Sequence, residues 1–154
     1  MKIEELSPRF NIDKNVKFKE TYSQFEKFLI ELRKRELPDE ITMYINKGID
    51  EINSMADSGD ELRKIVRKKQ ATIIQFLEKE IKLVPKNYYR NHWLAVGMAA
   101  FGLPIGTILG TSLGNMAFLG IGLPIGMAIG IYVGTGMDNK ACKEERQLDI
   151  EIKQ

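Results

Sequence analysis

Apolar residues recur at steps of three and four through the first half of the chain, beginning with Phe18, Tyr22, Phe25, Phe28, Leu29 and Leu32. That period puts them on one face and predicts a helix from about Val16 to Glu36. Pro38 closes it, and Pro38-Asp39-Glu40 opens a second helix with acids at its positive end. Ile41, Tyr44, Ile45, Ile49, Ile52 and Met55 carry the same period to about Ala56. Ser58-Gly59-Asp60 reads as a turn with a helix cap. A third helix runs from about Asp60 to Val84 through Leu62, Ile65, Val66, Ile73, Ile74, Leu77 and Ile81, and Pro85 stops it. Residues 1–14 read as an irregular leader. Residues 1–90 are thus expected to be an amphipathic, all-α cytoplasmic region of about three helices. Their stripes would bury against each other or against copies from other subunits.

The pattern then changes. From Asn91 to Met137 there is no Asp, Glu, Lys or Arg. A spanning helix needs roughly 20 apolar residues for a hydrocarbon core about 30 Å thick. As one helix this run would be near 70 Å long at about 1.5 Å per residue, too long for one crossing. Two crossings fit, at about 93–112 and 116–137, because Ser112-Leu113-Gly114-Asn115 is the polar, turn-forming cluster between them. A hairpin lying in the interface and a soluble assembly are the alternatives, although so long an uncharged core would need a larger polar shell. Tyr88, Tyr89 and Trp93 precede the first span, and amphipathic rings of this kind collect at the membrane–water boundary. Lys79, Lys82, Lys86 and Arg90 lie before the first span, and Lys140, Lys143 and Arg146 follow the second. The positive-inside rule then predicts a multi-pass protein with both termini cytoplasmic and the turn outside. Residues 138–154 would be a charged cytoplasmic tail.

Within the spans, GLPIGTILGTSLG at 102–114 is echoed by GLPIGMAIGIYVG at 122–134. Gly102, Gly106, Gly110 and Gly114 form one slowly winding stripe, and Gly122, Gly126, Gly130 and Gly134 a second. Glycine costs about 1 kcal/mol and proline about 3 kcal/mol relative to alanine in a soluble helix. Both are commoner in membrane helices, where small residues let backbones approach closely. With the turn near Gly114, Pro104 and Pro124 sit at one depth, Gly102 faces the level of Gly126, and Gly106 that of Gly122. Each proline removes a backbone bond, to the carbonyls of Ala100 and Gly120, and is expected to kink its helix, either as a hinge or only to shape the packing. NHWLAVGMAAFGLPIG, GNMAFLGIGLPIGMAIG and the GMDNKA exit, over residues 91–140, resemble the bacterial glycine-zipper family of membrane proteins. The resemblance implies membrane residence and close helix association, and brings no catalytic residues.

Composition bears this division out in the sequence. The formal net charge is only +2 over 154 residues, and eleven of the thirteen glycines lie between Gly97 and Gly136. Cys142 is the single cysteine and His92 the single histidine, so neither an internal disulfide nor a structural zinc site is expected. His92 reads as an interfacial residue, and Cys142 as a spectator thiol. The opening MKIEELSPRFNIDKN has acids and no apolar core of signal-peptide length. No phosphate loop, HExxH or CxxC occurs. Bases and acids nearly balance in residues 1–90, against nucleic-acid binding. The basic run RKIVRKK, Arg63 to Lys69, reads either as a solvated helix face or as a contact for anionic lipid head groups.

These observations predict a non-enzyme without cofactor, metal or evident small-molecule substrate. Its partners would be the lipid bilayer and either a second copy or another membrane protein, docked through the glycine stripes. A pore-forming or permeabilising effector, holin-like or toxin-like, is the rival expectation. A membrane-anchored adaptor is a third. The spans carry no Asp, Glu, Lys, Arg or His, which argues against ion-coupled transport.

Overall fold

The computed structural model describes residues 2–9, 16–55 and 59–152. The chain is all-α, with one short two-stranded pairing, and it divides into two units. The first unit holds residues up to Val84 together with Leu148–Ile152, and the second runs from Pro85 to Gln147. The Ser58 cap and residues 10–14 of the leader lie outside the described residues.

In the first unit, α1 (Val16–Arg33), α2 (Asp39–Asn53) and α3 (Gly59–Ile81) follow the three amphipathic stripes. α3 packs against both α1 and α2. The core is the set of apolar positions that the period selects: Phe25, Phe28, Leu29 and Leu32 from α1, Ile45, Ile49 and Ile52 from α2, and Leu62, Val66, Ile73 and Leu77 from α3. Each such side chain contributes about 1.5–3 kcal/mol when fully buried. Tyr44 and Phe76 stack across α2 and α3 with ring centroids 4.0 Å apart.

The helices end earlier than the prolines suggest. At the end of α3, Lys82 takes a left-handed conformation (φ 56°). Its N–H donates to Glu78 O, and the Leu83 N–H reaches back to Leu77 O. This is the helix-terminating arrangement in which a left-handed residue satisfies the last carbonyls. The residue before a proline is also driven out of the α region. Val84–Lys86 is therefore a strand, β1, where the apolar period extends the helix to Val84. β1 pairs with β2 (Gln147–Glu151), a strand within the segment that the sequence marks only as a charged tail. Leu148 is fully buried.

The leader is irregular over its described part, with neither helix nor strand, yet it is held in place. Residues 2–9 form an extended strap along α2, gripped through its backbone. Asn46 accepts from the Glu4 N–H (3.0 Å) and donates to Lys2 O (3.0 Å). Asn53 repeats this one step on, accepting from the Ser7 N–H (2.9 Å) and donating to Glu5 O (3.1 Å). The two asparagines are seven residues apart, about 10 Å along a helix. Three residues of extended chain cover about the same length, so the register repeats. Arg33 donates to Ile3 O and Glu4 O, and the Tyr22 hydroxyl donates to Ser7 O. Arg9 donates to Met55 O (2.8 Å) and Ile52 O (2.7 Å) at the end of α2, where carbonyls lack helical partners. Glu4 lies beside Asp50, and sharing a hydrogen bond with that carboxyl raises its pKa. The asparagine and arginine bonds to backbone hold the strap.

Replacing Asn46 or Asn53 with Ala should loosen the strap by about 1–2 kcal/mol, the net worth of two hydrogen bonds to part-buried or exposed peptide groups. Hydrogen exchange at the Glu4 and Ser7 amides would report it, at roughly tenfold faster exchange per 1.4 kcal/mol. Unchanged protection would refute the two-asparagine grip.

Candidate functional site: a hairpin closed on glycine

Two apolar helical stretches make up most of the second unit: Tyr88–Ser112, 25 residues, and Met116–Lys143, 28 residues. Both are long and apolar enough to cross a membrane. The first comprises α4 (Tyr88–Gly97), a π-helical turn (Met98–Gly102) and α5 (Leu103–Ser112). The second comprises a 3-10 turn (Met116–Phe118) and α6 (Leu119–Lys143). Both stretches exceed the expected spans, because helix continues to Tyr88 at one end and to Lys143 at the other. The polar cluster makes the turn between them. Gly114 adopts φ 64°, a conformation open to glycine at no steric cost. The Asn115 side chain then accepts from the Ala117 N–H (2.9 Å) and caps the return.

Glycine sets how the two arms meet. A methyl group at Gly134 would lie 2.5 Å from Arg90 Cα, and one at Gly130 would lie 2.8 Å from the Trp93 carbonyl carbon. At Gly126 it would lie 2.5 Å from the Gly102 nitrogen and collide with Gly97 O. At Gly122 it would lie 2.6 Å from Gly106 Cα and collide with Gly102 O. Gly106 faces Leu119 Cα (2.9 Å), and Gly110 faces Met116. Each of these neighbours except the Met116 sulfur is backbone and cannot swing aside. Both stripes are thus filled from within one hairpin. Gly122 lies between Gly102 and Gly106, and Gly126 between Gly97 and Gly102.

The stripe on the first arm is Gly97, Gly102, Gly106 and Gly110. Gly114 does not belong to it, since it forms the turn and a methyl there would meet nothing within 4 Å. Gly97 replaces it at the other end, five residues before Gly102. In a regular helix five steps of about 100° would carry Gly97 some 140° off the face. The π turn lies between them and is wider, with the Leu103 N–H bonding to Met98 O. It absorbs the extra residue and returns Gly97 to the stripe. It also sits directly before Pro104, whose ring would otherwise press on the carbonyl four residues back. Pro104 therefore opens α5 behind a bulge, while Pro124 lies inside the continuous α6. The four-residue register of the sequence could not reveal Gly97, and only the arm opposite shows that it belongs.

A second feature sits at the open end. The Asp138 carboxylate is only 6% exposed. Its two oxygens accept from the Tyr89 N–H (3.1 Å) and the Arg90 N–H (2.9 Å), the first amides of α4. These donors have no partner within their own helix, and the helix dipole favours an anion there. Asp138 thus caps the opposite arm across the hairpin. It is the first charge after the apolar run, and nothing in its sequence context shows that it turns inward.

Tyr88, Tyr89 and Trp93 do not form one exposed belt. Tyr89 is buried, edge-on to Tyr88 at 5.2 Å. Tyr88 and Trp93 are half-buried, and His92 is exposed. Arg146 ion-pairs with Glu144 (Nε to Oε2, 2.9 Å), which holds the Glu144 carboxyl below its usual range. Cys142 is exposed. Among the described residues, no three His, Cys, Asp or Glu side chains gather where they would hold a metal ion. An open groove of about 590 Å³ lies between α2 and α3. Lys68 borders it, and part of its lining is engaged internally: Lys69 pairs with Glu51, while the Ser54 and Thr72 hydroxyls donate to Glu51 O and Lys68 O.

No protein-family model, curated protein or solved structure matches the chain.

Two contrasts test this geometry. Gly126→Ala should cost about 1–3 kcal/mol by overpacking, and Gly126→Leu should separate the arms. Gly120→Ala and Gly136→Ala, where a methyl meets nothing within 4 Å, should be harmless. Spin labels at Ala99 and Ala128 would measure the separation, and an arm distance insensitive to Gly126→Leu would refute the packing. Asp138→Ala should raise hydrogen exchange at Tyr89 and Arg90 about tenfold or more, through loss of two bonds to a charged acceptor. Amides that stay protected would contradict the cap.

Proposed function

We propose that the chain is a small, non-enzymatic integral membrane protein in which a self-closed hairpin anchors a helical module at the cytoplasmic face. The observation that carries this reading is the character of the hairpin's outer surface. Only 22% and 17% of the two apolar windows are buried, whereas the core helix of a soluble protein is mostly buried. Ile108 is 63% exposed, and Phe101, Leu103, Leu113, Ile121, Leu123 and Ile125 are exposed with it. What the hairpin does bury is glycine backbone, so it offers apolar side chains on its outside. Lipid is the solvent that such a surface suits, because every backbone polar group of a spanning segment must be satisfied within the protein. The flanking cations favour cytoplasmic termini and an outer turn at Gly114-Asn115.

The glycine stripes meet their own chain, so self-association or docking of another membrane protein would use other faces than those expected from the sequence. The anchor reading gains accordingly. The pore reading finds less support. Thr107 and Thr111, two of the three hydroxyl residues of α5, donate to Leu103 O (2.8 Å) and Thr107 O (2.9 Å) of their own helix. The outward leucines, isoleucines and Phe101 would make a poor lining for water.

The protein should remain in the membrane pellet after alkaline carbonate washing. In a Cys142→Ser background, a cysteine at Asn115 should react with an impermeant maleimide from outside intact cells. The native Cys142 should react only after permeabilisation. Extraction by carbonate would sink the membrane reading, the reverse labelling pattern would overturn the orientation, and dye entry on expression would favour the pore.

A further inference from the structure

We propose that the outward face of α3, from Lys64 to Gln75, rests on anionic lipid head groups of the bilayer that the hairpin crosses. This rests on the membrane reading above. Within the basic run the structure separates two kinds of cation. Arg63 pairs with Asp60 (3.3 Å) and Lys69 pairs with Glu51. Both are partly buried at the flanks of α3 and serve the fold. Lys64, Arg67 and Lys68 are exposed, and no ion pair holds them among the described residues.

At about 100° per residue these three fall within an arc of roughly 100°. Ala71, Thr72 and Gln75 continue that face for two more turns without an acid. The small Ala71 lets the face approach something flat. A solvated helix face in a protein of this composition would be expected to mix signs, as the Lys79–Glu80 and Lys82–Glu78 pairs do nearer the hairpin. From Lys64 to Gln75 this face carries three positive charges, all between Lys64 and Lys68, and no acid.

The partner that fits is planar, negative and always near. Basic residues beside a membrane are attracted by the negative potential of its anionic lipids, and the attraction fades within a Debye length. The chain between Lys68 and Tyr88, where the first apolar stretch begins, reaches at most about 40 Å, as thirteen helical steps and some seven extended ones. Tethering therefore keeps the patch at high effective concentration over the leaflet.

The test uses the full-length chain with Cys142→Ser and Ala71→Cys, carrying a fluorophore at residue 71. It is placed in nanodiscs of phosphatidylcholine, alone or mixed with phosphatidylglycerol, doped with a lipid whose head group bears a paramagnetic quencher. Quenching should rise at least about threefold in the anionic discs. It should fall back at 1 M salt, where the Debye length is about 3 Å. The rise should vanish in Lys64→Gln/Arg67→Gln/Lys68→Gln, which keeps good helix formers. Equal quenching in both lipids, or a rise that this variant retains, overturns the proposal. Equal quenching with binding of poly-glutamate would assign the patch to an acidic protein instead. A second label at Ile108→Cys, read with a quencher on the lipid tails, separates the two failures. If that label is not quenched, the membrane reading has failed, whatever happens at residue 71.

Discussion

Close approach of two backbones is the constraint on which the second unit depends. Where Gly122, Gly126, Gly130 and Gly134 pass the opposite arm, no room is left for a single methyl group. Such contact brings many weakly attractive atoms to their best separation and permits Cα–H···O contacts between helices. It needs no apolar side chains in the interface, so these are left outside. Packing and surface character therefore have one cause: glycine inward forces leucine, isoleucine and phenylalanine outward.

The same constraint accounts for the irregularities. A π turn is a fault in an ordinary helix, yet here it restores register between an arm with one five-residue step and an arm with only four-residue steps. Pro104 stands just after the turn, where the wider helix accommodates its ring. Asp138 completes the design at the open end, supplying α4 with the acceptor that its own first turn lacks. Glycine at the middle and carboxylate at the mouth act on different physical terms, one on dispersion and the other on electrostatics.

Much of this was legible in the chain. The three-and-four period identified α1 to α3 and most of their core residues, because an amphipathic stripe is a local property of sequence. The turn at Ser112–Asn115 was legible for a similar reason, as polar and turn-forming residues interrupt an apolar run. What was hidden depended on partners distant in the chain. Gly97 lies outside the four-residue frame until the opposite helix is in place. Asn46 and Asn53 look like polar interruptions of α2 until an extended strap lies across them. Tyr89 reads as an interfacial ring until it is seen buried against its neighbour Tyr88. The tail offers only charge and short apolar steps, and becomes a strand through β1.

The pairing of β1 with β2 has a consequence for folding. Residues 87–146 intervene, and closing so long a flexible loop carries an entropic cost that grows with the logarithm of its length. The intervening chain is not flexible once its arms have zipped on glycine and Asp138 has capped α4. The assembled hairpin then delivers Gln147 already tethered within reach of the strand that left α3. Strand closure is then nearly local rather than a long loop closure. Leu148 is buried and belongs to the first unit, so that unit is built from chain on both sides of the hairpin.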